Sequence, residues 1–149
     1  MSCVLRIAGK NLDVDKLTKK LPIKVYHIYK KGDPYFKSKP KGRKQTMSGI
    51  NFLTSNADFD KLDRQIKGTI KFLEKHRLLL KKITTNENVE FCTLDFGINL
   101  RMGYNNIASQ SDYFPHKLLK LAGDLQIDIG ISLYPLDLEE QMEKRLSKK

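Results

Sequence analysis

Asp95-Phe96-Gly97 spells the metal-binding signature of protein kinases. That chemistry also needs a glycine-rich phosphate loop and an upstream catalytic Asp and Asn, and the chain has neither. His27, His76 and His116 stand far apart, outside any H-x-x-x-H or H-E-x-x-H pattern, so no metal site is expected. No G-x-S-x-G nucleophile elbow and no phosphate-cradling glycine motif occurs, and no cofactor is expected. One pair keeps acid–base work open. Asp95 and Asp128 fall in phase on the polar side of two alternating segments, where two carboxylates suit a small hydrolase or lyase.

Basic side chains offer a second chemistry. The 149 residues carry 28 Lys+Arg and 17 Asp+Glu, a formal net charge of +11. Residues 1–82 hold 21 basic and 7 acidic groups; the remainder holds 7 and 10. Lys37, Lys39, Lys41, Arg43 and Lys44 crowd the 30–44 stretch. Arg64, Lys67 and Lys71 recur at helical spacing, in an arc that also takes in Lys61, Lys75 and Lys82. Together with Tyr35 and Phe36 these groups suit phosphate tracking and base stacking, so nucleic acid is one candidate partner. Lys outnumbers Arg, which favours a solvated surface over base reading.

Positioning these groups requires elements that the hydrophobic pattern outlines. Val4, Leu5 and Ile7 mark a strand over 3–9. Asp13 opens a short helix with Val14, Leu17 and Leu21 on one face, stopped by Pro22. Residues 23–30 are β-branched and aromatic and read as a second strand, residues 31–45 as a mobile basic loop, and Ile50, Phe52 and Leu53 as a third strand. Phe59, Leu62, Ile66, Ile70, Leu73 and Leu80 predict one long helix over 58–82, with Asp58, Asp60 and Asp63 in its first turns.

Residues 89–100 alternate, with Cys92, Leu94, Phe96, Ile98 and Leu100 on one side. Pro115 is expected at the first position of a helix that Gly123 ends. Residues 126–134 alternate again, placing Ile127, Ile129, Ile131 and Leu133 inward. Asp137 starts a last helix with Leu138, Met142 and Leu146 on its stripe.

The resulting order is β-α-β-β-α-β-α-β-α: one α+β domain over 1–149, with a mainly antiparallel sheet of about five strands and helices on one face. The expected core comprises Leu5, Ile7, Phe59, Leu62, Ile66, Ile70, Leu73, Leu94, Phe96, Ile98, Leu121, Ile129, Ile131 and Leu133. The polar face of the sheet then carries Arg6, Asp95, Asn99, Asp128, Ser132 and Tyr134, a mixed-charge surface suited to a protein partner. No run approaches the ~20 apolar residues of a membrane span. The opening residues lack a signal h-region, and Cys3 and Cys92 form no C-x-x-C pair. A cytoplasmic chain with reduced core thiols is the expectation.

Several short segments together resemble the bacterial domain-of-unknown-function family 4279. They are Leu12-Asp13-Val14-Asp15-Lys16-Leu17 after the first strand, Lys31-Gly32-Asp33 after the second, and Ser48-Gly49-Ile50 entering the third. Towards the end come Leu118-Leu119-Lys120-Leu121-Ala122, Ile127-Asp128-Ile129 and Ser132-Leu133-Tyr134, so the resemblance spans about residues 4–135. It implies a small α+β domain with no assigned catalytic set and no functional residue to carry over. Some relatives sit among immunity proteins of toxin systems, which implies a non-enzymatic protein-binding role. A chain at +11 mimics nucleic acid poorly, so an acidic partner fits better than a nuclease.

Overall fold

The computed structural model describes residues 3–19, 21–103 and 106–135; the helix expected from Asp137 lies outside them. Strand β1 (Cys3–Gly9) is followed by helix α1 (Val14–Thr18), β2 (His27–Tyr29), β3 (Ser48–Ser55), α2 (Leu62–Lys75), α3 (Arg77–Thr84), β4 (Phe91–Leu100), α4 (His116–Asp124) and β5 (Asp128–Pro135). The strands form one sheet in the order β2-β3-β1-β4-β5. β1 pairs antiparallel with β3 and β4, as β2 does with β3. β4 and β5 run parallel, so the sheet is mainly antiparallel as expected but mixed, with this one parallel pair at its edge. The cause is α4: a helix between two neighbouring strands carries the chain back to its starting end, which makes the second strand parallel to the first.

One sheet face is dry. Cys3, Leu5 and Ile7 of β1, Ile50 and Phe52 of β3, and Leu94, Phe96 and Ile98 of β4 are fully buried there. Ile66 and Leu73 of α2, Leu80 and Ile83 of α3, Leu118 and Leu121 of α4, and Val14 of α1 join the same cluster. Asp13 caps α1 as expected, its Oδ1 accepting the Lys16 N–H at 2.9 Å.

The long helix is two helices. His76 (φ −109°, ψ 15°) ends α2 and precedes α3. Between Leu73 and Leu80 no apolar anchor occupies the stripe, so packing does not hold the chain straight there. Residues 56–61 form a turn rather than the first helical turn, and this carries Phe59 out of the expected core. Gln65 Nε2 pins that turn, donating to the carbonyls of Asp58 (3.0 Å) and Gly97 (2.8 Å).

Three further expectations shift. β2 is only three residues long, because Ile23 and Val25 turn into the core instead of extending the strand. Ile131 and Leu133 are not core residues: they are 51% and 52% exposed, because β5 is the sheet edge and α4 covers only its beginning. Gly123 lies inside α4, and the left-handed residue after the helix is Gln126 (φ 57°). A side chain in that conformation costs about 1 kcal/mol relative to glycine. Gln126→Gly is therefore expected to stabilise the fold by about 0.5–1 kcal/mol, read as a higher urea midpoint at unchanged slope.

Candidate functional site

The second sheet face points away from the four helices, whose apolar stripes all join the core. Strand register decides what it presents. Asn51 of β3, Arg6 of β1, Thr93 of β4 and Asp128 of β5 stand side by side in one row. The next row holds Leu53, Val4, Asp95 and Gly130. Gly97 pairs with Ser132 beyond it, and Asn99 with Tyr134 beyond that. All six residues expected on this face are there.

Three of them bond to one another. Arg6 donates to Asp95 Oδ2 through Nε (3.2 Å) and Nη2 (2.8 Å), and Ser132 Oγ–H donates to Asp95 Oδ1 at 2.6 Å. Both oxygens of Asp95 are thus committed as acceptors. Its side chain is 18% exposed while that of Arg6 stays 40% exposed, so the pair is anchored from below and open above. Asp128 stands diagonally across from Asp95 on the neighbouring strand, ~7–8 Å away by sheet geometry. A carboxylate already held by a guanidinium and a hydroxyl is better placed to orient Arg6 than to carry a proton.

Aromatic pairs flank this network. Phe59 stacks on Tyr134 with centroids 4.6 Å apart and rings 4° from parallel. They fit because position 97 is glycine: a Cβ there would meet Phe59 Cε1 at 2.5 Å. At the opposite corner His27 stacks on Tyr29 at 5.9 Å, and the Tyr29 ring covers Gly49, where a Cβ would collide with it. Burial pushes the Tyr29 hydroxyl up from its ordinary pKa, with the nearby Arg6 charge opposing. Between the corners, Asn51 Oδ1 is buried with no hydrogen-bond partner.

Asn51, Tyr29, His27 and Phe59 were not among the expected site residues. Gly49 and Gly97 inside strands were the available signal, since a strand glycine marks close approach of another group. The ring that would fill each gap comes from another element, and its identity was not legible.

The basic groups lie on two elements, an arm and a helix. Residues 31–45 form an arm of turns and bends closed by a bridge: Pro34 pairs with Lys44, and Tyr35 N–H donates to the Arg43 carbonyl. Arg43 lies over the Tyr35 ring at 5.2 Å, and Lys44 Nζ donates to the Pro40 carbonyl. Lys37, Lys39 and Lys41 are exposed on this arm, which joins the Ser48 end of β3. Arg64, Lys67 and Lys71 lie on α2, exposed. Arg64 lines a recess with Thr54 and Ser55, and Gly68, next to Lys67, packs on Ser55. The Arg64–Lys67 group therefore sits at the far end of β3, ~24 Å of strand from the arm.

A separate concavity of about 470 Å³ between α1 and α3 has an apolar floor, including Leu12 and Ile83, with Lys16 and Lys82 at its rim. Of the residues expected in the basic arc, Lys82 lines it; none of the residues expected on the sheet face does. No group of His, Cys, Asp and Glu among the described residues suits a metal ion. No helix among them is long and apolar enough to cross a membrane.

The family model described as "Domain of unknown function (DUF4279)" matches residues 1–136, and the chain belongs to that family. No curated protein and no solved structure matches it.

Two outcomes are expected. Asp95→Ala should lower stability by about 1–3 kcal/mol in urea denaturation, because it strands Arg6 and Ser132, whereas Ser132→Ala should cost less. The thiols should be inert in the folded chain. Burial pushes Cys3 up to about 11, against hydrogen bonds from Thr54 and Thr69, and pushes Cys92 up to about 12, with Asp128 adding to it. A raised thiol pKa favours folding below the unfolded value near 9, and that contribution is lost as pH climbs through the folded values. At pH 8, aromatic disulfide reagents should label the native chain roughly 100-fold more slowly than the chain in urea.

Proposed function

We propose that this member of the DUF4279 family is a binding module, without catalysis of its own, that docks a protein partner on the sheet face built around Arg6 and Asp95. The observation that carries this reading is the pre-set state of that face. Arg6 is held by Asp95, Asp95 is held by Ser132, and two aromatic stacks fix the corners. Side chains already immobilised lose little entropy on binding, and Tyr and Arg are the residue types that concentrate interface energy.

Peptide chemistry matches the remaining hydrogen-bond demand. Arg6 has five N–H donors, and Asp95 takes two of them at the distances given. A partner backbone brings a carbonyl on every residue and can accept from the remaining Arg6 N–H groups. A net charge of +11 favours encounter with an acidic protein. An immunity-type role, in which such a module covers a toxin, is the finer form of this reading.

Separation of the arm from the Arg64–Lys67 group weighs against one continuous phosphate-tracking surface. It leaves the arm alone, with exposed Tyr35 and Phe36, as the nucleic-acid alternative.

The test is quantitative capture at physiological salt, followed by titration of the purified chain with the recovered protein. Arg6→Lys and Tyr134→Ser, each verified as folded by circular dichroism, should weaken that binding at least 10-fold. Lys37→Glu with Lys39→Glu should leave it within about twofold. Binding lost only with the arm variants, or tight salt-sensitive binding of RNA or DNA with no protein bound, would overturn the proposal.

A further inference from the structure

The two edges of the sheet are built differently. β2 is three residues long and continues into an arm dense in lysine, features that discourage strand addition. β5 is eight residues long, carries no lysine and has its one proline at the last position, Pro135. Its exposed side chains include three large apolar ones, Ile131, Leu133 and Tyr134, beside Asp128 and Pro135. Beside it on the core side lies an open recess of about 540 Å³ that Met102 and Tyr113 help to line.

We propose that β5 pairs antiparallel with β5 of a second copy of this chain, extending the sheet across a two-fold axis. The strand reads as its own complement about Ile131. With Ile131 opposite Ile131 of the second copy, Ile129 faces Leu133 on the helix side, and the apolar side chains meet only one another. On the other side Asp128 faces Tyr134 and Gly130 faces Ser132. A one-residue slip would set apolar against polar side chains along the whole pair, so only registers that keep Ile129, Ile131 and Leu133 on one side are allowed. The contact is isologous and closes at two copies. Net charge opposes association of like copies, but the basic excess lies in residues 1–82, whereas β5 carries one acid and no base.

This inference does not rest on the docking reading. A monomeric chain would leave the Arg6 face intact, and loss of docking would leave the β5 edge intact. Light scattering after size exclusion should give twice the chain mass, and Ile131→Lys should return it to one copy with an unchanged circular dichroism spectrum.

Crosslinking tests the register. Ile131→Cys should form an intermolecular disulfide under diamide, because directly opposed strand residues fall within disulfide reach. Asp128→Cys should not, its two copies standing ~20 Å apart, but Asp128→Cys mixed with Tyr134→Cys should crosslink. Cys3 and Cys92 are buried and do not compete. A wild-type chain that is monomeric at all concentrations overturns the proposal. So does a dimer that fails to crosslink at Ile131.

Discussion

β1 is hydrogen-bonded on both edges, and the three residues on its inner face, Cys3, Leu5 and Ile7, are wholly removed from water. Covering that single face is the constraint on which the rest of the structure depends. The helices that supply the cover all lie on one side, so the sheet is dry on one face only. The other face is open to water and ties several of its polar groups together laterally. It does so with the Arg6–Asp95–Ser132 chain and with rings laid over Gly49 and Gly97. The candidate interface is thus a consequence of one-sided burial.

A few polar contacts inside the core fix how the helices sit. Gln65 is fully buried and joins α2 to the 56–61 turn and to β4, at the expense of an Oε1 with no partner. The Thr54 and Thr69 hydroxyls bond at 2.9 Å between β3 and α2, and Thr54 also donates to the Cys3 carbonyl. These bonds hold the turn that projects Phe59 across the sheet end, where its carbonyl accepts the Asn99 N–H. A buried amide in the core therefore positions an aromatic stack on the opposite face.

Much of this was legible where period and burial agree. The alternation of β4, the stripe Ile66-Leu73 and the cap at Asp13 each follow from local spacing, and the structure keeps them. Reading failed where a neighbour decided the outcome. Phe59 continues the helical stripe by arithmetic, yet its backbone is claimed by Gln65 and Asn99. Ile131 and Leu133 alternate as core residues do, yet whether a strand lies at a sheet centre or edge is a property of topology. The same applies to Lys82: it shares an arc with Lys61 only if the helix is continuous, and the break at His76 interrupts that continuity.

By itself the sequence determined where most strands and helices lie, which strand faces are polar, and that the chain is basic in its first part. Those properties depend on backbone period and composition, which are local. Only the tertiary structure decided that β5 runs parallel at an edge, that Asp95 is spoken for by Arg6 and Ser132, and that the two basic groups stand apart. Each of these depends on contacts between residues tens of positions apart, where side-chain identity does not reveal which partner the packing will bring within bonding distance.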